Sequence, residues 1–354
     1  MLEHARRQPP DMFDPGGGMT PPAPPKLAFL YGARETVWPG IVQSLLAEGG
    51  AMRAKLLECD AVVRAKLGWS LEQAFDSDHG SRDHVLEPVL TSVQIALTEG
   101  WRELGVEPDV VGARCGGEFA AAHVAGKLNL EEAMELACRS SRVILEGGIG
   151  GHMFWLQMAA PEVEDLLKVS QAPFTIAADN VDQTTIIVCG DDELEAVEAF
   201  LTSRCLGFHR LGLKFAFHNA ALDKWEATFC GLFGTRPANE SDPPFYSATV
   251  RGLSDDAAHD GRHFWRVIRE PALVRPMTRA LLRDGCRTFL EIGGSPSLDG
   301  LIAEEAEADG CEVRVLASMR RGKSFTAASA EARTVLAQLG RCGPPASEVA
   351  AQDA

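Results

Sequence analysis

The residues best placed to do chemistry lie in one segment, DVVGARCGGEFAAAHVAG, residues 109–126, where a short apolar run turns abruptly through small residues into a helix start. Cys115 stands at the apex of that turn. In a strand-turn-helix elbow of the G-x-S-x-G kind, small residues two before and two after the nucleophile let the backbone double back without side-chain collision. Ala113 and Gly117 hold the two flanks and cysteine holds the serine position. A thiol there lies at a helix N-terminus, where free N–H groups and the helix dipole favour a thiolate, and Arg114 adds a positive charge. Free cysteine is most often a small buried residue, and the other eight, at 59, 138, 189, 205, 230, 286, 311 and 342, are read that way. The turn pattern sets Cys115 apart as a candidate nucleophile.

A cysteine nucleophile normally needs a base. Of nine histidines, His218 in LGLKFAFHNAALDKW follows an apolar run just before a helix start, where a base on a loop could face the elbow. A hydrogen-bonded, partly buried histidine is an equal reading of the same residues. His4 lies in the N-terminal segment and His123 in the elbow helix, while His79, His84, His259 and His263 stand in polar stretches that read as surface.

With 354 residues, 45% of them hydrophobic, the chain can bury a core for one large domain with an insertion, or for two domains. Its formal charge of −16 opposes non-specific attraction to nucleic acid or anionic membranes. An acidic protein partner would need a local basic patch, and SMRRGKS, residues 318–324, is the densest basic cluster of the folded body. An odd number of cysteines without a C-x-x-C pair argues against a disulfide framework and a zinc ribbon. No run approaches the roughly 18 apolar residues of a membrane span, and no apolar signal region opens the chain, so a cytoplasmic protein is expected. Nucleotide-dependent chemistry has no support, since neither a P-loop nor a G-x-G-x-x-G after a strand is present.

The elements that must position these residues alternate. Residues 1–26, with seven prolines and a glycine triplet, are expected to form a disordered leader, and 341–354 a disordered tail. Strands are predicted at LAFLY, DVVGA, FYSA, RTFLEI and EVRVLA, with helices between them, including VLEPVLTSVQIALTEGWRELG before the elbow and helices through HFWRVIREPALVRPMTRALLRDG. That alternation points to a mostly parallel sheet covered on both faces, built from residues 27–150 and 215–340. Residues 151–214 change texture and read as an inserted β-α-β-β-α-β subdomain of ferredoxin-like type.

These segments together resemble the malonyl-CoA:acyl carrier protein transacylase family, including the acyltransferase domains of polyketide synthases, from about residue 28 to 340. The family's V-V-G-H-S-x-G-E and alanine-rich helix match VGARCGGEFAAAHVAG, and its A-F-H-S matches AFHN. FYSATVRG, FWRVIREPALV and FLEIGGSPSLDGLI resemble its F-Y-S, its W-x-x-N-L-R-E-P-V and its E-V-G-P-H-P-x-L-x-G-L-I. The resemblance implies an α/β-hydrolase-like large domain with the ferredoxin-like insertion, and a two-step exchange through an acyl-enzyme. Cys115 takes the nucleophile's place, His218 that of the base, and Asn180 matches a structural asparagine. No bound cofactor or metal is implied; a phosphopantetheine or coenzyme A thioester carries the substrate, and the partners are an acyl carrier protein or acyl-CoA.

The departures are as informative. The glutamine associated with the oxyanion hole falls on Arg34, and the histidine before the serine on Arg114, so Arg34, Arg114 and the Gly116 backbone are expected around the oxyanion. The arginine that binds a substrate carboxylate falls on Ser140, with Arg142 on the second arginine of that motif and Arg139 a third of a turn away. The signature ending at the base reads FAFH, so Phe215 and Phe217, with Ser140 and Arg142, are expected to border the acyl group. Without its bidentate partner a malonyl carboxylate would be buried unpaired. Gly294 replaces a proline and Glu87 a glutamine, neither with a reason visible in the sequence. The expected function is a cysteine-dependent acyltransferase of polyketide or secondary metabolism that moves a non-malonyl acyl group to a carrier or small-molecule acceptor. The alternatives are an editing thioester hydrolase and an inactive homologue that binds a carrier protein.

Overall fold

The computed structural model describes residues 25–75, 82–147, 150–170, 172–212, 214, 217–231, 240–254 and 258–343. Phe215 and nearly all of the expected leader and tail lie outside the described residues. In chain order the strands are β1 (Lys26–Tyr31), β2 (Val110–Ala113), β3 (Gly151–Leu156), β4 (Thr175–Val181), β5 (Thr184–Gly190) and β6 (Phe208–Arg210). They continue with β7 (Phe245–Ser247), β8 (Gly252–Leu253), β9 (Ala272–Leu273), β10 (Cys286–Glu291) and β11 (Arg314–Ala317).

The larger sheet runs β11-β10-β1-β2-β7-β8, parallel throughout except for the short β8, which returns antiparallel to β7. Its central strand explains its own sequence. Leu27 to Tyr31 are all fully buried because a parallel strand with helices on both faces sees no water, which is why LAFLY is continuously apolar and not alternating. Leu27, Phe29 and Tyr31 pack into the core shared with helices Ile41–Glu48, Gly50–Leu67 and Leu86–Glu103. Ala28 and Leu30 point the other way, toward helices Val274–Arg283 and Asp299–Ala308. Helix Leu86–Glu103 is buried around most of its circumference, its polar residues included: Ser92 and Thr98 donate to the Pro88 and Gln94 carbonyls, and Gln94 to the Gly32 carbonyl.

The smaller sheet has the order β6-β3-β5-β4-β9. Its first four strands, with helices Ala160–Ser170 and Leu194–Ser203, give the antiparallel ferredoxin-like arrangement expected from 151–214. One face is sealed by those helices through Phe154, Leu156, Val163, Val197 and Leu201. The opposite face, with Met153, Ala177 and Val188, joins the main core. The fifth strand was not anticipated. Pro271 ends the helix Gly261–Arg269, and the freed Ala272 and Leu273 pair in parallel with Ala178 and Asp179 of β4. A stretch read as wholly helical therefore supplies a strand that sews the two sheets together. The helix Phe325–Gln338 and β8 also went unread.

Candidate active site

The elbow forms where β2 runs into the helix Gly117–Val124. Cys115 takes a φ of +49°, a conformation that costs a side chain of this kind on the order of 1–3 kcal/mol and is kept where the surroundings over-determine it. Those surroundings are visible at Gly117. A Cβ there would come within 2.4 Å of the carbonyl oxygens of Tyr31 and Gly32, so the end of β1 leaves room for glycine alone.

The histidine stands just before the 3-10 turn Ala220–Trp225. His218 also sits at positive φ, +62°, with its N–H donating to the Ile268 carbonyl at 2.9 Å. Asn219 caps the turn Ala220–Trp225 by accepting from the Ala221 N–H at 2.8 Å. The His218 Nδ1 lies against the Glu270 carbonyl, so Nδ1 carries the proton and Nε2 presents a lone pair. That Nε2 stands 3.5 Å from Cys115 Sγ.

Both groups are almost completely buried, at 8% and 5% exposure, and burial decides their charge. It pushes the Cys115 thiol up to about 12, helped by Glu87 and opposed by Arg34, the Gly116 N–H and Arg114. It pushes His218 down to about 4 against the Glu270 hydrogen bond, with Arg34, Arg114 and Arg269 adding to the fall. The resting pair is a neutral thiol facing a neutral imidazole. The Gly116 N–H and Arg114 do favour a thiolate, as expected, and desolvation by burial is the larger effect. Arg114 is turned toward the Glu35 carboxylate, with which it pairs.

Cys115 and His218 open onto a cavity of about 470 Å³. The smaller sheet supplies an apolar wall of Met153, Ala177, Ala178, Ile186 and Ala272, and Phe217 lies beside the histidine. Arg34 lines the cavity with its guanidinium 4.2 Å above the Phe217 ring. Its Nε lies 3.1 Å from Glu87 Oε1, in a pair buried to 5% and 1% exposure. Burial raises Glu87 to about 7 against the pull of Arg34, with Glu35 adding to the rise. The two positions compared above with glutamines thus carry opposite charges that meet, which explains the change at Glu87. Gly294 has a reason too: a Cβ there would lie 2.2 Å from Ile41 Cδ1 and 2.5 Å from the Thr36 carbonyl oxygen.

Other expected residues lie elsewhere. Ser140 is fully buried on the helix Leu130–Gly147, its Oγ without a hydrogen-bond partner among the described residues, and does not line this cavity. Arg142 donates to the Lys66 carbonyl at 2.6 Å, and Arg139 binds Glu135 and the Thr228 carbonyl.

Three residues carry more than their sequence signal suggested. Asn180, expected to be structural, lines the cavity, and its buried Oδ1 has no hydrogen-bond partner among the described residues. Glu118, in the first turn of the elbow helix, accepts from Ser247 Oγ at 2.8 Å and from the Thr249 N–H and Oγ1 at 3.1 and 2.8 Å, locking the helix to the end of β7 and the segment after it. His263 lies 3.5 Å from Glu118 and 4.6 Å, ring to ring, from His259; both histidines are buried, not surface residues as their polar neighbours implied. Among the described residues no group of three or more His, Cys, Asp or Glu side chains could hold a metal ion, and no helix is long and apolar enough to cross a membrane.

Comparison with known proteins gives a consistent result. The family model described as acyl transferase domain matches residues 28–345. Erythronolide synthase EryA2 of Saccharopolyspora erythraea is 29% identical over 306 residues, which are 85% of this chain and 9% of that protein. The chain therefore spans about a tenth of the length of that relative. Among solved structures, the acyltransferase domain from module 8 of the salinomycin polyketide synthase superposes with a TM-score of 0.80 at 23% identity, covering 91% of this chain and 77% of that one. The acyl transferase domain of SpnD, in complex with 2-(pent-4-yn-1-yl)malonyl, gives 0.79 at 26% identity, over 92% of this chain and 79% of that one.

Proposed function

The chain belongs to the acyl transferase domain family, and on that premise we propose that it is a cysteine-dependent acyltransferase of polyketide or secondary metabolism. It takes a monocarboxylic acyl group from a carrier-protein or coenzyme A thioester, holds it on Cys115, and passes it to a carrier or small-molecule acceptor. The observation that carries this reading is the 3.5 Å approach of His218 Nε2 to Cys115 Sγ, with Nδ1 tied to a carbonyl.

The chemistry follows from the neutral resting pair. As Cys115 Sγ attacks the donor carbonyl, its proton passes to His218 Nε2 and an Sγ–C bond forms. The negative charge on the carbonyl oxygen meets the Gly116 N–H and Arg34. Collapse breaks the bond to the donor sulfur, and that thiolate takes the proton from Nε2. The acceptor repeats the sequence in reverse, losing its proton to Nε2 as it attacks the acyl-cysteine. Thioester-for-thioester exchange is nearly thermoneutral, so transfer to another thiol is reversible and transfer to an amine or alcohol runs downhill.

The acyl class rests on charge. Arg34 and Arg114 line the cavity, and each already faces a carboxylate of this chain, Glu87 and Glu35. Glu35 also lines the cavity, and the facing wall is apolar. A free carboxylate on the acyl group would be desolvated there in competition with internal ones, a cost of several kcal/mol. We assign residues 27–150 and 215–340 to the large domain and 151–214 to the small subdomain.

The test is to incubate the protein with malonyl and monocarboxylic thioesters and to read acylation by intact mass and peptide mapping, with Cys115→Ala as control. A label on Cys115 from monocarboxylic donors supports the proposal. Release of free acid without acceptor would make the protein a thioester hydrolase. Absence of both label and free acid would leave a binding homologue.

A further inference from the structure

The Arg34–Glu87 pair carries an inference beyond the acyl-transfer reading, on which it rests. We propose that Glu87 is a specificity-determining and positioning residue: by holding Arg34 it commits that guanidinium to the oxyanion and denies it to a carboxylate on the substrate.

Three features of the geometry support this. Glu87 comes from the buried helix Leu86–Glu103, a rigid element, whereas Arg34 opens the short turn Arg34–Thr36 after β1 and gains its aim from what it contacts. The guanidinium is held between two partners, the Glu87 carboxylate at 3.1 Å from Nε and the Phe217 ring at 4.2 Å. Glu87 in turn is packed beneath the elbow: a Cβ on Gly116 would lie 2.0 Å from Glu87 Oε2, so the carboxylate touches the residue whose N–H faces Cys115. One acidic side chain thereby adjoins both oxyanion groups.

The second consequence concerns substrate choice. An arginine lining an acyl cavity is, by its chemistry, a receptor for a carboxylate through paired N–H donors. Above about pH 7, where Glu87 is ionised, the pair is neutral overall and the site offers a donor without net charge. That is enough for an oxyanion that forms and collapses in the same position, but a substrate carboxylate would have to compete with Glu87 throughout binding.

The experiment compares acylation of Cys115 by malonyl-CoA and butyryl-CoA at pH 8, where Glu87 is ionised, in wild type and four variants, as the ratio of their second-order rates. Glu87→Gln, which keeps shape and removes charge, is expected to raise the malonyl-to-butyryl ratio at least tenfold. Glu87→Asp keeps the charge but shortens the reach, and is expected to slow both donors while leaving the ratio within about twofold of wild type. Arg34→Gln slows both donors by about 10²-fold, the usual cost of an oxyanion donor. The double variant Arg34→Gln/Glu87→Gln leaves no unpaired charge; it is expected to remain slow and to keep discriminating against malonyl. An unchanged ratio in Glu87→Gln, or an equal rise in Glu87→Asp, overturns the proposal. Should Glu87→Gln fail to fold, acceptance of malonyl by the double variant does the same, because no arginine remains to be released. Failure of the acyl-transfer reading looks different: wild type itself takes no label from either donor.

Discussion

Arg34 and Glu87, 53 positions apart and both nearly excluded from water, approach to 3.1 Å directly beneath the turn that carries Cys115. Each is a departure from the family resemblance when taken singly. Together they are a compensated exchange of two amides for one ion pair.

The stability of this pair is therefore expected to be strongly non-additive. Arg34→Gln strands a buried carboxylate and should cost about 3–5 kcal/mol, while the double glutamine variant should recover most of it. Urea unfolding at pH 8 measures both; equal losses in the single and double variants would show that the pair does not couple.

The same site sets two opposed pH dependences. Glu87 has a folded pKa of about 7, above its ordinary 4.5, so the folded chain keeps a proton the unfolded chain has released; its contribution is full at low pH and is lost as pH rises through 7. His218, depressed to about 4 from 6.5, contributes above 6.5 and loses that contribution as pH falls toward 4. The slopes cancel between about 4.5 and 6.5. Glu87→Gln removes the first alone, so its stability relative to wild type should improve by about 2 to 3 kcal/mol between pH 5 and pH 8. A difference that stays constant with pH would contradict the raised value for Glu87.

Thiol reactivity should be slow and steeply pH-dependent. With Cys115 pushed up to about 12, alkylation by iodoacetamide is expected to rise about tenfold per pH unit from 7 to 10. Rapid, pH-independent alkylation at pH 6 would instead reveal a thiolate–imidazolium pair.

Acylation itself needs His218 neutral, which it is above about 4, so its rate should rise through that pH and then level. His218→Ala should slow it by about 10²- to 10⁴-fold. Rapid-quench labelling across pH 3.5 to 8 reads both; a rate that keeps climbing to pH 8 would point to thiolate attack without the base.

Gly294→Ala should cost at least about 2 kcal/mol, because the added methyl meets the Thr36 carbonyl oxygen at 2.5 Å as well as Ile41. Thermal unfolding of that variant, with Gly300→Ala as the control where nothing stands within 4 Å, is the comparison.

What could be read from the sequence was local or repeated. The elbow at Cys115 announces itself because steric demands at 113 and 117 leave small residues, and the ferredoxin-like insertion because two helices alternate with four strands. The approach of His218 needed the family resemblance, since nothing local relates positions 115 and 218. The meeting of Arg34 with Glu87 was invisible for the same reason: each side chain is intelligible only beside the other. Protonation states could not be read because burial is a property of the assembled core, and the dipole and charge effects near Cys115 are legible while the desolvation that outweighs them is not. His259 and His263 were misplaced by their polar neighbours, and β9 by its length, two residues after a proline.

The strand β9 ties more than two sheets. Ala272 and Leu273 pair with β4 of the small sheet, the Leu273 N–H donates to Ala248 beyond β7 at 2.9 Å, and Glu270, two residues before the strand, supplies the carbonyl that aims the imidazole. The cavity wall and the aim of the base thus share one length of backbone. Under the proposed acyl transfer, prying the sheets apart to admit a bulkier chain would pull on the peptide that orients His218, and the cavity would act as a caliper: an acyl group that forced the jaws open would also disarm the proton transfer it came for.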